Sequence, residues 1–153
     1  MQENIALNND QQIVLDALVA RREAREPMAQ ILGKKEFWGL EFTVTKDTLM
    51  PRPDSETLIT TLMQMETRRD KLLKILDLGT GTGCLLLSIL SEYRQSSGVG
   101  VDQSEAALSI AAQNATALGF EKRCVFIKSD WTSSVKGVWD IIISNPPYIP
   151  CLL

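Results

Sequence analysis

Apolar and polar residues follow one rhythm up to about Lys71 and a different one from Lys74 onward. Between Asp10 and about Glu26, Ile13, Val14, Ala17 and Leu18 recur at helical spacing, which predicts a short amphipathic helix capped by Asp10 and stopped by Pro27. The run from Phe37 to Val44 is aromatic and β-branched but broken by Gly39, which suits a small hairpin. Pro51-Arg52-Pro53 imposes an extended loop. Asp54-Ser55-Glu56 then opens a second helix with Leu58, Ile59, Leu62 and Met63 on one side, ending near Arg68-Arg69-Asp70. The stretch from Thr67 to Lys71 reads as a linker.

From Lys74 strands and helices alternate. Strands are expected at Lys74–Leu78, Val99–Asp102, Cys124–Lys128 and Asp140–Ser144, with helices at Leu85–Tyr93 and Ser104–Leu118 between them. This order predicts an α/β fold with a parallel sheet. Strands as uniformly apolar as Ile141-Ile142-Ile143 are expected where helices cover both faces.

Composition narrows the chemistry. The 153 residues are 44% hydrophobic and 23% charged, enough for one core, and the net charge of −3 makes nucleic acid an unexpected partner. There is no histidine, and Cys84, Cys124 and Cys151 form no CxxC pair, so neither a metal site nor a histidine-based triad is expected. The polar N-terminus lacks a signal-peptide pattern and no apolar run approaches a membrane span, so a reducing cytoplasm is the expected setting.

Two motifs stand out. The turn Asp77-Leu78-Gly79-Thr80-Gly81-Thr82-Gly83 joins a strand to a helix, where glycines admit a ligand to the backbone and the helix N-terminus offers N–H groups to an anion. A dinucleotide fingerprint would need Gly or Ala where Cys84 stands, so the spacing favours S-adenosylmethionine, with its methionine part on the turn and its ammonium near Asp77. Asp102 lies about 20 residues beyond the last glycine, the place of a carboxylate that accepts from ribose hydroxyls. Asp130 and Trp131 offer a polar group and a flat ring for adenine; a core role for Trp131 weighs about equally.

The second motif is Asn145-Pro146-Pro147-Tyr148, at the carboxyl end of the fourth strand of the parallel sheet, where open α/β sheets bind ligands. Consecutive prolines fix an extended backbone, and the carbonyls of Asn145 and Pro146 and the Asn145 side chain can accept both hydrogens of an NH₂ group while Tyr148 stacks on it. Such acceptors restore electron density to a delocalised nitrogen and aim it at a methyl sulfonium without an ionised base.

With these residues in place, the chain resembles the release factor glutamine N5-methyltransferases. The resemblance runs through Arg25–Phe42, Leu49–Leu58, Ile75–Leu90, Val101–Ala115, Ser129–Trp131 and Ser144–Pro150. The last motif is shared with methyltransferases of DNA adenine and ribosomal RNA, whereas the first two segments are family-specific, and Pro53 favours the release factor branch over a ribosomal-protein branch. The resemblance implies a Rossmann-like class I S-adenosylmethionine-dependent methyltransferase fold. Gly79 through Gly83, Asp102, Trp131 and Asn145 would contact the cofactor, and Asn145 through Tyr148 would hold the glutamine of a Gly-Gly-Gln loop. Arg52 and Glu56 match the motif beside the pocket, with a surface ion pair as an equal alternative.

Against that family the chain looks truncated at both ends. Residues 1–50 correspond to a remnant of the substrate-binding region, a helix plus hairpin, and residues 51–153 to the N-terminal part of the methyltransferase domain with an incomplete parallel sheet. Self-association through the uncovered outer edge of the Asp140–Ser144 strand follows as an expectation. The alternatives are an N-methyltransferase acting on a nucleic-acid base or ribosomal protein, and an inactive cofactor-binding fragment.

Overall fold

The computed structural model describes residues 6–46, 48–49 and 52–146. Helix α1 (Asn9–Glu23) is capped by Asn8 rather than Asp10. The Asn8 side chain accepts from the Gln11 amide at 2.8 Å and Gln11 accepts from the Asn8 amide at 3.0 Å, so each satisfies an end of the other. The helix ends at Glu23, short of Pro27, and its expected amphipathic face is not buried: no α1 residue is buried, and Ile13 is 67% exposed. Ile13, Val14 and Leu15 are consecutive, so they point around the helix rather than down one side. Pro27 instead starts a second, short helix, α2 (Met28–Leu32), that the periodicity does not announce.

The hairpin forms as expected, from β1 (Lys34–Phe37) and β2 (Leu40–Thr43), with Phe37 opposite Leu40. Phe37 and Phe42 meet edge to face at 6.4 Å and enter the same core as Leu85, Leu86, Leu87, Ile89 and Leu90. Side chains clamp the hairpin to the rest of the molecule. Buried Asn114 accepts from the Thr43 amide at 2.8 Å and donates to the carbonyls of Thr43 and Thr82 at 3.1 and 2.9 Å. Glu56 accepts from the Trp38 amide at 3.0 Å, and Glu92 from the Trp38 indole at 2.8 Å.

Arg52 is extended, but Pro53–Ser55 closes into one 3₁₀ turn that leads into α3 (Glu56–Met65). That helix stops before Arg68, since Glu66 leaves helical geometry and its carboxylate binds Arg68 and Lys71 at 3.1 and 2.5 Å. The stretch from Thr67 to Lys71 is tied down by Arg69, which donates to Tyr93 Oη at 2.5 Å while its guanidinium lies over the Tyr93 ring.

The parallel sheet contains β3 (Lys74–Leu78), β4 (Ser97–Asp102), β5 (Cys124–Lys128) and β6 (Ile141–Ser144), in the order β5-β4-β3-β6. Helices α4 (Cys84–Glu92) and α5 (Glu105–Ala117) connect β3 to β4 and β4 to β5. Leu78 pairs with Val101 on one side and Ser144 on the other, so the carboxyl ends of three strands arrive together. The order turns about β3, with β4 on one side and β6 on the other, which is the switch point where such sheets open a crevice. Coverage of both faces holds for β3 but not for the outer strands: Ile142 is 59% exposed and Val125 56%. Among the described residues these strands lie at the two ends of the sheet, beyond the neighbours that bury β3.

Candidate functional site

The crevice begins with the glycine turn. Both the Gly79 and Thr80 amides donate to the Val101 carbonyl at 2.9 Å, which pins the turn onto the end of β4. Gly79 (φ 72°) and Gly81 (φ 54°) occupy left-handed backbone, and a Cβ on either would meet nothing within 4 Å. The turn therefore needs glycine for its path and leaves open space above it. Thr80 and Thr82 point the other way, into the protein, and both are buried.

Asp77 lies beneath this turn and is fully buried. One carboxylate oxygen accepts from Thr80 Oγ1 at 2.7 Å, and the other is buried with no hydrogen-bond partner of ordinary geometry. Burial pushes the Asp77 carboxyl up to about 6; the Thr80 hydroxyl and the Leu86 amide in the first turn of α4 oppose that rise, and the Asp102 charge adds to it. Thr82 Oγ1 is likewise buried and unpaired. Asp77, Thr80, Thr82, Cys84, Ser55 and Asn145 line a small chamber of about 30 Å³ under the turn. Cys84 is no nucleophile there, because burial raises its thiol to about 12.

Above the turn a larger cavity of about 370 Å³ opens at the strand ends. Gly79 and Gly81 form part of its floor, Val101 and Ala107 its apolar wall, and Asp102, Gln103, Ser104 and Ser129 its polar side. Trp131 stands at the rim, 56% exposed and at φ 48°, a backbone conformation uncommon for a side chain of that bulk. Thr48, Leu49, Asn145 and Pro146 close the opposite side. This volume suits a nucleoside-sized ligand.

Asp102 does more locally than a ribose contact requires. Its two oxygens accept from the Gly81 and Ser104 amides, each at 3.0 Å, joining the glycine turn to the start of α5. Asp130 is exposed, outside both cavities, and accepts from the Gln103 side chain at 2.5 Å. The structure thus brings Asp102, Trp131 and Asn145 around one cavity with Gly79 and Gly81, sets Asp77, Thr80 and Thr82 below it, and leaves Gly83 off both linings as the α4 cap. Pro147 and Tyr148 lie outside the described residues.

Sequence reasoning missed the connection from the other side. Asn145 Nδ2 donates to the Ser55 hydroxyl at 2.6 Å, so the 3₁₀ turn of the Pro53-Asp54-Ser55 segment touches the end of β6 directly. Glu56 forms no surface ion pair and instead holds the hairpin. Gln103, Ser104, Ser129, Thr48 and Leu49 were also missed; only Gln103 and Ser104, directly after Asp102, had a positional hint.

Comparison with known proteins agrees with this geometry. The Methyltransferase small domain family model matches residues 53–150. A release factor glutamine methyltransferase of Rhodospirillum rubrum is 47% identical over 137 residues, covering 89% of this chain and 41% of the relative. Its counterpart in Agrobacterium fabrum is 44% identical over 146 residues, covering 94% and 50%. The chain spans about half the length of the curated relatives it matches. Among solved structures, an S-adenosylmethionine-dependent methyltransferase from Agrobacterium tumefaciens superposes with a TM-score of 0.60 at 23% identity, over 74% of this chain and 39% of that one, which establishes the Rossmann-like methyltransferase fold. With the glycine turn, the strand-end cavity and Asn145-Pro146 all inside the matched span, the chain belongs to the methyltransferase small domain family.

Proposed function

We propose that this chain transfers a methyl group from S-adenosylmethionine to the side-chain amide nitrogen of glutamine in the Gly-Gly-Gln motif of peptide chain release factors. The observation that carries the reading is one cavity lined on one side by Gly79, Gly81 and Asp102 and on the other by Asn145 and Pro146. Cofactor and acceptor groups then share a single space. The names of the relatives support the release factor as substrate.

The residues fit the cofactor. A buried carboxylate oxygen of Asp77 without a partner suits an ammonium group, and the open space over Gly79 and Gly81 admits a ligand to the backbone. Asp102, Gln103 and Ser104 would meet hydroxyls, with Trp131 against the base. When bound, S-adenosylmethionine supplies an electrophilic methyl on a sulfonium. Asn145 and Pro146 would accept from the substrate NH₂ and Tyr148 would stack on its amide plane, so that the nitrogen is oriented and enriched without a histidine base. Proton loss to solvent follows transfer.

The test mixes the chain, labelled S-adenosylmethionine, and a release factor or its Gln-to-Ala variant. Label on the factor alone supports the reading, and cofactor binding with no label on either protein reduces the chain to a binding module. Asn145→Ala should lower transfer by at least about 100-fold and cofactor affinity far less, as expected for loss of a positioned acceptor. A net charge of −3 supports a protein substrate over a nucleic-acid base, and a substrate in translation supports the cytoplasm as setting. We also carry forward self-association through the outer edge of β6, which Ile142→Lys should weaken. Sedimentation showing one monomeric species at every concentration would remove it.

A further inference from the structure

Asn145 can serve as an acceptor only if its amide is turned the right way. The oxygen and nitrogen of an asparagine amide are nearly the same size, and the hydrogen-bond partner of one end decides which faces the site. Here the nitrogen end is committed: Nδ2 donates to Ser55 Oγ at 2.6 Å.

Both partners are held from behind. Ser55 is buried and closes the Pro53–Ser55 turn, its amide donating to the Arg52 carbonyl at 3.0 Å. The next residue, Glu56, fixes the Trp38 amide at 3.0 Å, so the turn is anchored to the hairpin. On the other side, Ser144 Oγ donates to the Leu78 carbonyl at 2.9 Å and locks the end of β6 against β3. Ser55 and Asn145 also line the small chamber with Asp77. The hydroxyl therefore sits on a rigid platform beside the asparagine and inside the site.

We propose that Ser55 is a positioning residue, whose hydroxyl accepts from Asn145 Nδ2 and so turns the Asn145 carbonyl toward the substrate amide. The proposal rests on the amide-methylation reading above and adds a residue from the opposite end of the domain to it. A hydroxyl can also donate, and an amide flipped to accept from Ser55 would offer N–H donors to the substrate instead of an acceptor. The two arrangements differ at one observable group, the Asn145 NH₂.

Solution NMR of the ¹⁵N-labelled chain reads it. The Asn145 side-chain NH₂ pair, assigned by its loss in Asn145→Asp, should exchange with solvent at least about five-fold more slowly than that of exposed Asn9, the protection expected of one modest hydrogen bond. Ser55→Ala should remove the protection and Ser55→Thr, which keeps the hydroxyl, should restore it. An unprotected pair in the unaltered chain overturns the proposal without any variant, so a misfolded Ser55→Ala cannot hide a failure. In methyl transfer, Ser55→Ala should lower kcat about ten-fold with KM for S-adenosylmethionine within about two-fold, and Thr should recover kcat. Equal loss in both parameters, or no recovery by Thr, also overturns it. A chain that transfers no methyl but shows the protected, Ser55-dependent pair would sink the substrate reading while supporting the Ser55–Asn145 assignment.

Discussion

Two helices in this chain carry similar runs of apolar residues and end in opposite surroundings. Helix α4 buries seven of its nine residues, whereas α1, at fifteen residues, buries none. The run in α4 is apolar on every side, so it belongs inside, beneath the sheet and against the hairpin core. In α1 the run Ile13-Val14-Leu15 sits between Gln12 and Asp16, and no described neighbour covers it. Apolar content alone does not place a helix; the partner surface does. The sharpest way to break the comparison is truncation at one position in each. Leu86→Ala should cost about 2–5 kcal/mol and lower the melting temperature by roughly 2–4 °C per kcal/mol. Leu15→Ala should change stability by less than about 0.5 kcal/mol in the same urea or thermal titration. Similar losses would mean that α1 is packed in solution.

The same contrast separates a buried charge from the exposed charges of α1. The Asp77 carboxyl, raised to about 6, lies above its ordinary value of 3.8, so the folded state favours the protonated form. Its contribution to stability is intact below about pH 4 and declines as the pH rises from there to about 6. Above that it levels off at a penalty on the order of 3 kcal/mol. Asp77→Asn should flatten this decline in denaturation curves taken between pH 4 and 7. A ligand carrying an ammonium group should reverse the sense: affinity for S-adenosylhomocysteine should climb about ten-fold from pH 5 to pH 7 by calorimetry. The Asn variant should bind more weakly with no such slope. A pH-independent affinity in the parent would detach Asp77 from the ligand.

Glycines sharpen the comparison within the site itself. Gly100 on β4 faces packed atoms, since an added Cβ would lie 2.7 Å from both the Phe126 ring and Thr80 Oγ1. Gly100→Ala should cost about 1–3 kcal/mol through overpacking and disturb the Thr80 bond to Asp77. Gly79→Ala meets open space and should cost about 1–2 kcal/mol from its left-handed backbone alone. Chemical denaturation of the two variants separates crowding from strain if Gly100→Ala also shifts the Asp77 titration and Gly79→Ala leaves it in place.

What was legible in the sequence was whatever local pattern determines. The spans Lys74–Leu78 and Cys124–Lys128 are strands at the expected bounds, because short apolar runs between turn residues leave little choice of register. The glycine turn and Asp102 were legible from spacing, and they do meet, Gly81 donating to Asp102. The cap of α1 was misread because Asn8, Asn9 and Asp10 are all good caps, and only the reciprocal bond with Gln11 selects the first. The five-residue α2 lies below the length at which periodicity carries information. The Ser55–Asn145 bond joins positions 90 residues apart, and no local spacing encodes such a contact. Asp130 was placed on the site by its neighbourhood to Trp131, but the backbone turns at Trp131 and directs the two side chains to different surroundings.

That cap supplies the smallest and most discriminating test of the opening contrast. Asn8→Ala removes both halves of the reciprocal bond with Gln11 and should cost α1 about 1 kcal/mol. A helix of this length without a buried face is near the limit of independent stability, so that loss should be felt as local opening. Hydrogen exchange should quicken about five-fold across residues 9–23 while the protection of α4 and the global melting temperature stay unchanged. The only described ties of α1 to its surroundings are at its end, where Arg21 binds Glu26 and donates to the carbonyls of Gln30 and Ile31 at 3.3 and 3.4 Å. If Asn8→Ala instead lowered the global transition, α1 would be coupled to the core through that end despite burying nothing. The dividing line between the two helices would then be cooperativity rather than burial.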